Sequence, residues 1–437
     1  MNNIKKTLQE ILMTNPDVVG TGYGKKVTSN LVTDEKCLSF GVKKKLPLSE
    51  VSPENLIPSE IEIDGVVYKT DVTELSDLRP MTCSLPANCY SCYDPVNAIP
   101  CATNASAARP IKGGTVFQTG GGYGTLGFFA VHVPTQALVA ITNAHVADIA
   151  PYFNPVTGGV YNTGQPSLSN YTKRYPLGVP KTNTWSWSTS TPFGMPAHID
   201  KESAPPFINT ADAAMVAIKQ YDVGNVPFIT NAESWKQIGL SDIPGGINTP
   251  PPFASTQELD ALIDFTNLEL WSSGARTGIK KDACGLKVLS DDYNFYMYVG
   301  GGVSFLASYG NTIKISRSDV SCVAINGGDS GSALMGKVPT YNPSDPNWKN
   351  GPRTWKIVGL LYAGSTGGAE NYGIACRIDK VAQKLNIQAW DGSPKPFLDI
   401  DNMDYKVIEG PILDNPKTIN GKEYWQLGMI GKQSTVW

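Results

Sequence analysis

Between Ile111 and Ile387 the apolar residues come in short runs, each soon closed by glycine, proline or asparagine. An amphipathic helix needs its apolar stripe sustained for about ten residues or more, whereas strands of about four to eight residues are bounded by turn residues. The 43 glycines and 32 prolines supply that punctuation. Strands are expected at Thr115–Phe117, Gly127–Val133, Leu138–Thr142, Ala213–Ile218, Leu268–Trp271 and Leu286–Leu289. Others are expected at Tyr296–Val299, Thr312–Ser316, Ser332–Met335, Ile357–Leu361 and Tyr372–Arg377. Many short strands joined by glycine-rich turns suit a barrel or a sandwich, so the chain is read as mainly β.

Two other textures flank this stretch. Ile4, Leu8, Ile11 and Leu12 lie on one helical stripe within residues 3–14. Val18–Val27, Cys37–Val42 and Val66–Thr73 follow as expected strands, and residues 1–75 are read as a small α/β module. Residues 76–110, rich in Pro, Cys, Asn and Ala without a period, are read as a linker. The β part spans 111–390, with barrel one near 111–220, an insertion at 221–262 and barrel two near 263–390. A helix is expected around Thr256–Ile263, and the extension 391–437 contains a hairpin turning at Asn420-Gly421.

Composition narrows the function. A net charge of −3 gives no basic field for nucleic acid. Nowhere do 18 consecutive apolar residues occur, so no helical membrane span is expected. Met1–Asn15 has no apolar signal core, which favours a cytoplasmic protein. Cys83, Cys89, Cys92 and Cys101 form a cluster whose spacing is compatible with zinc, with disulfides or with free thiols. Only Cys89 and Cys92 make the close pair that a closed zinc site usually shows twice. Cys37, Cys284, Cys322 and Cys376 read as isolated core residues. Gly122-Tyr123-Gly124-Thr125-Leu126-Gly127 fits G-x-G-x-x-G, but a strand pattern follows it, so it is read as a hairpin and no cofactor is expected.

Chemistry concentrates in three segments. Asn326-Gly327-Gly328-Asp329-Ser330-Gly331-Ser332 sets a serine between glycines, as an exposed, strained nucleophile turn requires. Two backbone N–H groups can converge there on one oxyanion. The chain has three histidines. His132 lies within a strand pattern and His198 in a loop, while His145 ends Thr142-Asn143-Ala144-His145 at a strand boundary and is the expected base. Asp212 heads the apolar run Ala213–Ile218, where a carboxylate is costly without a partner. It is preferred as the orienting acid over Asp200, and Asp148 stands too near His145.

The order His145, Asp212, Ser330 is that of chymotrypsin, not of subtilisin or the α/β-hydrolases. Ile141–Val146, Ala211–Ile218 and Gly327–Leu334 resemble the corresponding segments of chymotrypsin-fold (trypsin-like) serine peptidases. Val19–Tyr23, Gly41–Pro47 and Gly65–Val72 resemble the N-terminal α/β domain of bacterial and phage-type members. Arg109–Gly114, Gly124–Gly127 and Gly274–Gly278 also match segments of such proteins. The resemblance implies two six-stranded antiparallel barrels with the triad between them, an oxyanion hole formed by the N–H groups of Gly328 and Ser330, peptide-bond hydrolysis and a protein or peptide substrate. It implies that Ala324, six residues before Ser330, and Ala363, Gly364 and Ser365 line the substrate pocket. Trypsin-like members carry an acidic pocket base where Ala324 stands, so a small or apolar pocket is expected. In digestive members a released N-terminus pairs with the aspartate before the serine, yet Pro110 opposes cleavage after Arg109. A second reading is a catalytically silent binding or structural protein on the same fold. A regulatory reading makes residues 1–75 a gate over the cleft.

Overall fold

The computed structural model describes residues 2–75, 78–80, 112–119, 122–143, 146, 164–165, 175–176, 190–191, 210–216, 249–275 and 278–279. It further describes 285–299, 305–320, 324–365, 370–396, 405–408, 417–419, 422–424 and 431–434. The described protein is mainly β.

Helix α1 (Asn2–Thr14) leads into β1 (Val18–Thr28), β2 (Leu31–Val42), β3 (Glu60–Ile63) and β4 (Val66–Glu74). A two-residue strand, β5 (Arg79–Pro80), precedes β6 (Val116–Thr119), β7 (Gly122–Thr125), β8 (Phe128–His132) and β9 (Ala137–Thr142). Short pieces β10 (Gly164–Gln165), β11 (Tyr175–Pro176) and β12 (Ser190–Thr191) come before β13 (Ala214–Val216). Helix α2 (Thr256–Leu259) is followed by β14 (Leu270–Gly274), β15 (Gly278–Ile279), β16 (Leu286–Val299) and β17 (Phe305–Arg317). Then come β18 (Ala333–Pro339), β19 (Arg353–Ser365), β20 (Tyr372–Arg377), helix α3 (Ile378–Leu385) and β21 (Ile387–Ala389). The tail holds β22 (Tyr405–Ile408), β23 (Lys417–Ile419), β24 (Lys422–Tyr424) and β25 (Gly431–Ser434).

The largest sheet runs β15-β14-β18-β19-β20-β17-β16-β1-β2-β4-β3, with β5 added on β19. Its ladders are antiparallel except β2 with β4. A second sheet runs β12-β13-β9-β8-β21, and a third β11-β10-β6-β7. The N-terminal strands thus continue the large sheet through the β1–β16 ladder. That junction is built from glycines: a Cβ at Gly20 or Gly22 would strike the Tyr293 ring, and one at Gly24 the Leu289 carbonyl. Helix α1 lays Ile4, Leu8 and Leu12 on Leu38, Phe40, Val42 and Tyr296, forming a separate small core.

Several expected boundaries shift. The two runs at Leu286–Leu289 and Tyr296–Val299 are one strand, β16, whose register slips around Ser290 and Tyr293. Such bulges let a polar stretch cross a sheet without ending it. The helix expected at Thr256–Ile263 is split into α2, capped by a Ser255–Glu258 box, and a 3-10 turn at Leu262–Asp264. Gly122–Thr125 is a strand in the β6–β7 hairpin, as the sequence suggests. Strands β23 and β24 pair Ile419 with Lys422, while Asn420 and Gly421, where the turn is expected, lie outside the described residues. Helix α3 was not expected, although Ile378, Val381 and Leu385 give it a buried stripe and Asn386 closes it at φ 50°. Among the described residues no helix is long and apolar enough to cross a membrane. Cys83, Cys89, Cys92 and Cys101 lie outside the described residues, whereas Cys37 and Cys376 are buried free thiols.

Candidate functional site

Ser330 sits in the turn that enters β18, between Gly328 at φ +102° and Gly331 at φ +93°. Only residues without a Cβ reach such values without strain, which explains the two glycines. The turn folds on itself. The Asn326 amide donates to the Asp329 Oδ2 at 3.0 Å, and the Asp329 amide returns a bond to the Asn326 carbonyl. Ser332 gives both its amide and its hydroxyl to the Asp329 carbonyl. The Gly331 amide donates to the Leu361 carbonyl of β19, and the Gly327 amide to the Asn326 Oδ1. Between Asn326 and Ser332, two N–H groups donate to nothing among the described residues: those of Gly328 and Ser330. Gly328 and Ser330 are both buried, a setting in which N–H groups are almost always paired.

The serine is not exposed as the sequence suggests. It is wholly buried, and its hydroxyl donates to the Tyr362 carbonyl at 3.0 Å. The close approach of β19 has this effect, because Gly331 and Ser332 bond to the same strand at Leu361.

Strand β7 braces the turn from the other side. The Thr125 amide donates to the Ser330 carbonyl at 2.7 Å. The Thr125 hydroxyl donates to the Gly328 carbonyl at 2.9 Å while accepting the Ala275 amide at 2.8 Å. Thr142, at the end of β9, closes the chain by donating to the Thr125 carbonyl.

Asp212 is buried just before β13. Pairing of Ala214 with Thr142 carries Asp212 to the end of the sheet where Asn143 emerges. The Asn143 Nδ2 donates to the Asp212 carbonyl at 2.6 Å. The Asp212 amide donates to the Cys376 sulfur on β20 at 3.0 Å. Burial first, and the nearby Asp212 second, push the Cys376 thiol well above its usual pKa. Tyr309 is likewise pushed up, by burial and then by Asp212 and Cys376, and Tyr362 by burial and then by Cys376, Tyr309 and Asp212. Their hydroxyls have no hydrogen-bond partner among the described residues.

His145 lies outside the described residues, as do Asp148, His198 and Asp200. Its sequence neighbours are placed. Thr142 bonds Thr125, which holds Ser330, Asn143 bonds Asp212 itself, and the Val146 amide donates back to the Asn143 carbonyl. A Cβ on Gly124 would meet both Val146 and the Ser330 carbonyl. His132 is in the β8 strand, as expected, and burial holds its pKa down to about 4.

Three of the four residues assigned to a pocket are consecutive, and the fourth, Ala324, lies on a separate segment. Ala363, Gly364 and Ser365 end β19, buried, and Gly364 pairs with Gly373. Gly373 faces Ile325, the neighbour of buried Ala324. The sequence left the partner of Asp329 open, and the Asn326 amide supplies one. Tyr362 and Cys376 had no signal in the sequence, because a tyrosine and a cysteine inside apolar strands look like ordinary core.

No family model matches the chain, and no curated protein does. Among solved structures it is similar to a glutamic-acid-specific serine protease described as using a histidine triad in substrate binding. That match has 12% identity, covers 64% of this chain and 100% of the other, and has a TM-score of 0.32. Cellulomonas bogoriensis chymotrypsin matches at 11% identity over 64% and 98% of the two chains, TM-score 0.29. Thermobifida fusca protease A matches at 12% identity over the same shares, TM-score 0.30. At these scores the chemistry rests on the chain's own residues.

Proposed function

We propose that this chain is a serine endopeptidase acting through His145, Asp212 and Ser330. The observation that carries the reading is the pair of N–H groups, Gly328 and Ser330, that donate to nothing among the described residues, next to the Ser330 hydroxyl in a turn held on both sides. In this reading the hydroxyl attacks a peptide carbonyl carbon and His145 accepts its proton. The two N–H groups then receive the developing oxyanion, each worth about 2.7–4 kcal/mol in the transition state. The proton passes to the leaving amine, and water hydrolyses the acyl-enzyme through the same base. Asp212 holds the imidazole tautomer, and Ala324, Ala363, Gly364 and Ser365 wall a small or apolar pocket.

The architecture proposed for this chemistry is two six-stranded barrels within residues 111–390. Support for the second is the run β14-β18-β19-β20-β17-β16, whose end strands β14 and β16 also touch. A fluorophosphonate probe tests the activity: it should label the native chain and not Ser330→Ala, and equal labelling of both sinks the reading.

A catalytically silent peptidase-fold binding protein is the second reading. It is favoured by the buried Ser330 hydroxyl, engaged by the Tyr362 carbonyl.

A further inference from the structure

Strand β19 has two edges. One is paired with β20 from Gly359 to Ser365. The other is paired with β18, and that ladder ends where Leu360 meets Ala333. Beyond it the edge runs through Tyr362, Ala363 and Gly364, and the Ser330 hydroxyl is bonded to its Tyr362 carbonyl. A peptide brought to Ser330 has this edge as its nearest main-chain partner, since extended peptides gain hydrogen bonds by joining a sheet as an added strand.

The edge is already taken. Arg79 lies opposite Gly364 and Pro80 opposite Ala363, antiparallel, as β5. The register gives the direction: from Arg79 to Pro80 the chain advances from Gly364 toward Tyr362, and so toward Ser330. Proline fits such a place because an edge strand tolerates a missing donor.

The approach to β5 is fastened. The Leu75 amide donates to the Val42 carbonyl, and Leu75 and Leu78 are both buried in the main core. The Glu74 amide donates to the Glu370 Oε2, which also accepts the Tyr372 hydroxyl, while Lys45 binds Oε1 at 3.0 Å.

We propose that Leu78–Pro80 is a peptide ligand carried in cis, occupying the strand-addition edge beside Ser330 and excluding peptides in trans until it is displaced. The inference rests on the serine-peptidase reading and names what fills the cleft in the folded chain. A tethered strand competes at an effective concentration on the order of millimolar, enough to exclude weakly bound peptides.

Arg79→Pro in the full chain tests it, because the substitution removes the Arg79 N–H and stiffens β5. Two readouts are taken: the rate of fluorophosphonate labelling at Ser330 and hydrogen exchange of the Ala363–Ser365 amides. Labelling should quicken about tenfold, the equivalent of about 1.4 kcal/mol, and exchange should quicken with it. Exchange unchanged from the native chain overturns the proposal, whatever the labelling does. Faster exchange with unchanged labelling overturns the exclusion of ligands. Faster exchange with no labelling of either protein keeps the cis strand and removes the peptidase reading. Should Arg79→Pro fail to fold, Leu78→Ser loosens the anchor and carries the same readouts.

Discussion

The amide of Asp212 donates to the sulfur of Cys376 at 3.0 Å, and the thiol faces the Asp212 carbonyl at 3.9 Å. Cys376 pairs with Leu360 on one side and Thr312 on the other. A residue in the middle of the large sheet thereby fixes the backbone of the expected acid, which belongs to the end of a different sheet.

Cys376→Ala removes the acceptor and leaves a buried N–H unpaired, at a cost of about 1–3 kcal/mol. Chemical denaturation should show that loss, and Cys376→Ser, which keeps an acceptor, should recover part of it. Raised by burial, the native thiol should resist alkylation until the protein unfolds.

Thr125 is the brace of the Ser330 turn, since its hydroxyl joins the Gly328 carbonyl to the Ala275 amide. Thr125→Val keeps the shape and deletes both bonds. If the proposed peptidase reading holds, kcat should fall about tenfold or more with KM little changed, because the proposed oxyanion donors lose their positioning. Thr125→Ser should restore the rate; an undiminished kcat in the valine variant would show the brace to be structural only.

Gly331→Ala is expected to be the most damaging small substitution in the turn. At φ +93° an added Cβ is strained, and it would collide with the Thr125 carbonyl and the Thr142 hydroxyl. The combined cost should be about 3 kcal/mol or more, read from the urea midpoint.

Glu370 gives the docking of the N-terminal strands a pH dependence. Burial works against its ionised form, but bonds from Tyr372, Lys45 and the Glu74 amide outweigh it, so its pKa lies below the ordinary 4.5. A carboxylate with a depressed folded pKa contributes stability that is present above the unfolded value and lost as pH falls through the folded one. Glu370→Gln should therefore be less stable than the native chain at neutral pH, and the two stability curves should converge below about pH 4. Curves that stay parallel through that range would remove Glu370 as the cause.

Much of this arrangement was legible in the residues. The short apolar run Leu138–Ile141 and the glycines around Ser330 report local backbone demands, and β9 and the φ-positive turn follow from them. The burial of Asp212 follows from its place at the head of an apolar run. What was not legible depends on partners far away in sequence. The engagement of the Ser330 hydroxyl by Tyr362 and the sulfur contact to Asp212 arise only when β19 and β20 are set against their neighbours. Pairing of β5 with β19 joins residues 283 positions apart or more, as Pro80 to Ala363 shows, and a two-residue strand has no period to read. The fusion of two runs into β16 was hidden because Ser290, Asp291 and Asp292 look like a turn, whereas bulges carry them through the sheet.

The ladder between β1 and β16 has a practical consequence for anyone shortening this molecule. Cutting away the first 75 residues would strip β16 of its outer neighbour and bare a long rail of amide and carbonyl groups. Such a rail is a template on which separate copies stack. A truncated form should therefore clump, and its poor behaviour would say little about whether the missing part restrains catalysis.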